Sequence, residues 1–126
     1  MRLLLDTHVL LWWLDDDRRL PGAWRATIGD PRHDVWVSTI SIAEIVIKSS
    51  LGKLESPPDV IGAVSGSQLD TMPFQVEHAA GLAHLPWHHR DPFDRMLIAQ
   101  ARVEQLTIVT GERHFGRYDV SLLPPD

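Results

Sequence analysis

Short apolar runs alternate along this chain with longer stretches of helical spacing. Arg2 to Leu5 is a brief run of leucines that stops at Asp6-Thr7. His8 to Leu14 is apolar nearly all round, which predicts a buried helix. Pro21 to Gly29 reads as a short helix with proline in its first turn. Val35-Trp36-Val37 is a second strand candidate, ending at Ser38-Thr39. A helix over Ser41 to Leu51 follows, stopped by Gly52. Ser56 to Asp59 forms a turn and cap, and a weak helix runs from there to Leu69. Met72 to Val76 reads as a third strand, with Pro73 pointing to an edge position or an early start. Glu77 to Leu85 is read as helical, Pro86 to Arg90 as a loop, and Pro92 to Gln105 as the best helix in the chain. Leu106 to Val109 is a strand ending at Thr110-Gly111-Glu112, and Val120 to Leu123 is a last short strand candidate.

Strands that alternate with helices predict a three-layer α/β fold: a mostly parallel central sheet of about five short strands, flanked by helices. With 126 residues, a single domain over 1–126 is the expectation. Such sheets place their sites outside the carboxyl ends of the strands. Three candidate strands end there in polar residues: Asp6-Thr7, Ser38-Thr39 and Thr110-Gly111-Glu112.

Each acid near those ends has a structural and a chemical reading. Asp6 or Thr7 could cap the helix that begins at His8. Ser41 and Glu44 have the S-x-x-E spacing of a capping box. A helix starting instead at Ser38 or Thr39 would leave Glu44 as a carboxylate in the second turn of a mostly buried helix. Asp91 suits an N-cap, Pro92 the first helical position, and Asp94 the first turn, where acids favour the dipole. Asp91 and Arg95 have i, i+4 spacing, which predicts an intrahelix pair. Glu112 lies in a Thr-Gly-Glu turn that could be solvated.

Taken together, four carboxylates fall at strand ends or in the first turns that follow: Asp6, Glu44, Asp94 and Glu112. Like charges gathered this way repel unless a cation lies between them. The chain has no cysteine, so the donor set is oxygen-rich and points to Mg²⁺ or Mn²⁺ rather than structural zinc. Carboxylate-held metals activate water in phosphodiester hydrolysis. The formal net charge of −5 argues against a protein that simply coats nucleic acid. With four acids neutralised in a site, the rest of the surface carries about −1, which no longer forbids a polyanionic substrate.

Other chemistries find little support. His88-His89 is adjacent on a loop, no H-E-x-x-H is present, and a histidine metal site is not expected. There is no phosphate-binding glycine loop and no G-x-S-x-G elbow. A dehalogenase-like phosphotransferase would need a second aspartate two residues after Asp6, where His8 stands. An exposed Trp12 or Trp13 would suggest a protein interface. No apolar segment is long enough to span a bilayer, and Asp6 breaks the N-terminal apolar run, so a cytoplasmic protein without membrane contact is expected.

The segments LLLDTHVLLWWL, STISIAEIVIKSSLGKL, HHRDPFDRMLIAQA and TIVTGERHF, in this order, resemble the PIN-domain ribonucleases. The nearest group looks like the VapC-type toxins of bacterial toxin–antitoxin pairs. The resemblance covers essentially the whole chain and places the family's acids on Asp6, Glu44, Asp94 and Glu112. It departs at Glu112, where aspartate is usual. Thr110 matches a hydroxyl residue often found near the family's metal. The resemblance implies Mg²⁺- or Mn²⁺-dependent cleavage of RNA, a homodimer and a cognate antitoxin. It divides the two aspartates of the RDPFDR stretch, with Asp91 as cap and Asp94 as ligand. Arg90, Arg95 and Arg113 are candidates for steering phosphates. A related nuclease of RNA processing or of DNA, and a catalytically silent partner-binding domain, are the alternatives.

Overall fold

The computed structural model describes residues 1–126. The chain forms, in order, β1 (Arg2–Leu5), α1 (Thr7–Leu14), α2 (Gly22–Gly29), β2 (Asp34–Ser38), α3 (Thr39–Ser50), α4 (Val60–Ser65), β3 (Asp70–Met72), α5 (Val76–Ala80), α6 (Pro92–Glu104) and β4 (Thr107–Val109). Two 3-10 turns, Gly81–His84 and Arg113–Arg117, complete the set. The four strands pair in parallel in the order β3-β2-β1-β4. This is the expected three-layer α/β architecture, with four strands where about five were predicted.

β1 lies in the middle, and its three leucines are fully buried because both faces of the sheet are covered. Side chains alternate along a strand, so Leu3 and Leu5 enter one core and Leu4 the other. The first core takes Val9, Leu10, Trp24, Ile28 and Ile45 from the helices on that side. The second takes Leu97, Ile98 and Ala101 of α6, with Phe115 and Tyr118.

Several boundaries differ from the sequence reading. α3 starts at Thr39 rather than Ser41, because the Ser38 hydroxyl accepts from Ile40 N at 3.0 Å and caps the helix. The predicted Ser41–Glu44 capping box therefore does not form. The third strand ends at Met72, where it was expected to begin, since Pro73 offers no N–H to a ladder. It is an edge strand, as Pro73 suggested, and Val76 opens α5 instead of closing the strand. The helix expected to reach Leu69 stops at Ser65, and the one expected to reach Leu85 tightens into the 3-10 turn after Ala80. Val120 to Leu123 is not a strand. It adds one parallel bridge, Ile108 to Leu122, held by Ser121 O and Leu123 N on Ile108, before Pro124-Pro125.

Chain order runs outward from β1 to β2 and β3, then returns to the far side of β1 as β4. The point where the direction reverses lies between β1 and β4, and a crevice opens there beyond the carboxyl ends.

Candidate active site

Asp6 is the first residue after β1 and is almost fully buried. Its Oδ1 accepts from Val9 N at 2.8 Å, so it also caps α1. Its Oδ2 accepts from the Thr110 hydroxyl, which crosses the reversal point from the end of β4. Burial, only partly offset by these hydrogen bonds, pushes the Asp6 carboxyl up to about 6.

Glu44 faces the same crevice from the second turn of α3. It is 4 % exposed, which excludes a solvated capping role. Thr7 donates to its Oε1 at 2.5 Å, and Lys48, one turn on, donates to its Oε2 at 2.5 Å. The bond to Glu44 raises the Lys48 pKa further, so this amine stays charged.

Asp94 and Asp91 divide the start of α6. Asp91 Oδ1 accepts from Phe93 N at 2.9 Å and Asp94 N at 3.1 Å, which is the cap, and Pro92 follows it. Asp94 is left free of capping duty. Its Oδ2 lies 2.8 Å from His114 Nε2. Burial first, and the Asp91 charge second, push its carboxyl up to about 6.

Glu112 follows β4, and its backbone N–H donates to Thr110 Oγ1 at 3.0 Å. Its side chain is 44 % exposed, more open than the other three acids. All four acids line one cavity of about 150 Å³, together with Thr7, His8, Lys48, Asp91 and His114. No hydrophobic side chain lines it.

A divalent cation fits this set. The donors are carboxylate oxygens with two imidazoles, His8 and His114, from four separate elements. Two of the acids are held near a pKa of 6 by burial, a cost that a bound cation would offset. Asp6, Glu44 and Asp94 each retain a defined orientation through the hydrogen bonds above, which is how ligand side chains are set.

The predicted Asp91–Arg95 pair is corrected here, and the three candidate arginines lie in different places. Arg95 neither pairs with Asp91 nor faces the cavity. It is buried, donates to Leu85 O at 3.1 Å, Pro86 O at 2.8 Å and Tyr118 Oη at 3.3 Å, and lies 3.7 Å from the Trp87 ring centroid. It clamps the loop before α6. Arg90 borders a separate hollow by Trp87. Arg113 reaches a larger groove of about 630 Å³ beside the cavity, with Trp12, Arg19 and Trp24. Trp12 and Trp13 pack against the first core and are only half-exposed. The sequence reading also missed His114 and Lys48. Lys48 was legible, four residues from Glu44 on one helix face. His114 carries no local signal, because its partner Asp94 is 20 residues away.

A family model for the PIN domain matches residues 3–121. The chain belongs to the PIN domain family. PIN domains are nucleases. Solved structures agree on the fold. VapBC2 of Rickettsia felis, solved with a DNA fragment from its promoter, superposes at a TM-score of 0.74 with 16% identity, covering 98% of each chain. A DNA-bound VapBC of Salmonella typhimurium gives 0.74 at 18% identity, covering 100% of this PIN domain and 99% of that chain. A toxin–antitoxin complex from Klebsiella pneumoniae gives 0.67 at 19% identity, covering 98% of each chain. Comparison with curated protein sequences finds no match.

Proposed function

We propose that this PIN domain is a divalent-metal-dependent endoribonuclease, the toxin of a toxin–antitoxin pair. The observation that carries the reading is the meeting of Asp6, Glu44, Asp94 and Glu112 on one polar cavity at the reversal point of the sheet. The PIN family match and the likeness to VapBC complexes support it. Residues 1–126 act as one domain. The protein works in the cytoplasm as a homodimer, and a cognate antitoxin blocks the cavity until released. No helix of the chain is long and apolar enough to cross a membrane.

Asp6, Glu44 and Asp94 would hold Mg²⁺ or Mn²⁺, with Glu112 at the open side. When bound, such an ion lowers the pKa of water and offsets phosphate charge. Thr110 and the start of α1 fix Asp6 so that its carboxylate does not swing with solvent. Thr7 and Lys48 hold the two oxygens of Glu44. A carboxylate of the cavity, Asp94 or Glu44, would orient or deprotonate the attacking water. Lys48 and Arg113 supply positive charge at the cavity and at its neighbouring groove. Phosphate contacts of this kind position a strand without reading its sequence.

The test is cleavage of defined RNA and DNA by the purified full chain, with and without Mg²⁺ or Mn²⁺. Metal-dependent RNA cutting is expected, with a loss of at least roughly 100-fold in Asp6→Asn and Asp94→Asn. Glu112→Gln should lose less, as its side chain is the most open. Full activity in a folded Asp6→Asn or Asp94→Asn variant would refute the site. Preferential cutting of DNA would transfer the reading to a DNA nuclease.

A further inference from the structure

Asp94 has a second side. Its Oδ2 lies 2.8 Å from His114 Nε2 and 3.7 Å from His89 Nε2. These three atoms come from the loop before α6, from α6 itself and from the 3-10 turn after β4, and all lie within 4.8 Å of one another. His89 Nε2 is buried and has no hydrogen-bond partner. An orphaned ring nitrogen in such a place is costly unless something else satisfies it.

The two rings are held in place. His89 Nδ1 lies 2.8 Å from the Tyr118 hydroxyl, which also accepts from His89 N at 3.2 Å and from the Arg95 clamp. His114 lies 4.1 Å from His89 and 5.0 Å from Phe115, centroid to centroid. Its Nδ1 faces Glu112 Oε2 at 3.9 Å. Metal-binding histidines are oriented by such contacts at the far nitrogen. The Tyr118 contact fixes the ring so that His89 Nε2 faces Asp94 and His114.

The spacing suits a small ion. Ligands at about 2.05 Å in a tetrahedral arrangement stand roughly 3.3 Å apart. The observed 2.8 Å and 3.7 Å to Asp94 straddle that value, and the two histidine nitrogens lie within 4.8 Å of each other, so the three would draw together around an ion. Two imidazoles and one carboxylate select first-row transition ions over Mg²⁺, which prefers oxygen.

We propose that His89, Asp94 and His114 form a transition-metal site of the two-histidine, one-carboxylate type, joined to the acid cavity through Asp94. It takes Zn²⁺ or a similar ion, with open positions left for water or a phosphate oxygen. The site stands on its own geometry and does not require the nuclease reading to be correct.

Titration of the purified full chain with Co²⁺, read by its visible absorption, tests this. The wild type should show the bands of a low-symmetry Co²⁺ site, displaced by Zn²⁺ and not by equimolar Mg²⁺. His89→Gln and His114→Asn should each weaken Co²⁺ at least roughly tenfold. His33→Gln, at a histidine remote from the site, should leave it unchanged. Ring-nitrogen NMR of the wild type needs no variant to fold: Zn²⁺ should shift Nε2 of His89 and His114 and spare His33 and His78. Absence of the Co²⁺ bands, full affinity in both histidine variants, or unmoved Nε2 signals would overturn the proposal. Loss in Asp6→Asn with retention in both histidine variants would place the ion in the acid cavity and also overturn it. None of these readouts depends on RNA cleavage, so failure of the nuclease reading is told apart from failure of this site.

Discussion

Lys48 is the one lysine in a cavity lined by acids. Its amine is 2.5 Å from Glu44 Oε2 and 5.7 Å from the Phe93 ring centroid, and its side chain is 35 % exposed. In the metal-free protein it partly neutralises Glu44. It must therefore compete with any cation that Glu44 helps to hold, because like charges at close range repel. Solvent screens a side chain this exposed, so the effect is modest, about 1 kcal/mol. Lys48→Met should then tighten Mn²⁺ binding roughly five-fold, as read by calorimetry. It should also weaken retention of RNA, since a phosphate-facing charge is lost. Weaker Mn²⁺ binding in the variant would mean that Lys48 organises the site and does not compete within it. Thr7 and Thr110 act differently: they are neutral donors that orient carboxylates without opposing a cation.

At the scale of elements, α6 shows what local pattern can and cannot reveal. Its cap was legible, because Asp91, Pro92 and Asp94 occupy positions whose preferences follow from unpaired backbone N–H groups. Its far end was less so: Gln105 closes the helix in the left-handed conformation that glycine usually takes. Arg95 was misread for a related reason. The i, i+4 spacing suggested Asp91, yet Asp91 is spent on two backbone donors, and the true partners of Arg95 lie 9, 10 and 23 residues away. The same logic separates Glu44 from His114. Glu44 was placed once the helix start moved back to Thr39, whereas the contacts of His89 and His114 with Asp94 arise only from folding. The strand ends were legible through Asp6, Ser38 and Thr110, and the false fifth strand arose because apolar pattern alone cannot tell a bridge from a strand. If Arg95 is the clamp that sets the loop before α6, Arg95→Ala should cost about 2–4 kcal/mol in urea unfolding, because two carbonyls lose their donor. Histidine ring signals from His89 should broaden or move as the loop loosens. A loss below about 0.5 kcal/mol, the range of ordinary surface changes, would show that the clamp holds little.

Across the whole molecule, the acids of the cavity set how stability answers to pH and metal. Asp6 ionises near 3.8 in an unfolded chain and near 6 in the fold, and Asp94 is displaced in the same direction. Between those values the unfolded chain has released protons that the folded one keeps. Stability from this source is therefore complete below about 4 and is lost as pH rises through 6. For Asp6 alone, the part lost between about pH 4.5 and about pH 7.5 is about 2 kcal/mol. Acids outside the cavity such as Asp17 and Asp30, held low by their neighbouring arginines, work in the opposite direction. Comparing wild type with Asp6→Asn removes their contribution. In metal-free buffer, Asp6→Asn should gain about 2 kcal/mol on the wild type as pH is raised across that interval. Denaturant midpoints measured at both values read this directly. If the cavity holds a cation as proposed, Mg²⁺ should reverse the trend for the wild type alone, because it would bind only the folded, ionised cavity and stabilise it by RT ln(1 + [Mg²⁺]/Kd). At about pH 4.5, with Asp6 and Asp94 protonated, the same Mg²⁺ should have little effect. Equal responses to Mg²⁺ at both pH values, or equal responses in wild type and Asp6→Asn, would separate the buried acids from metal binding. The cavity would then be a polar crevice whose charge serves something other than a cation.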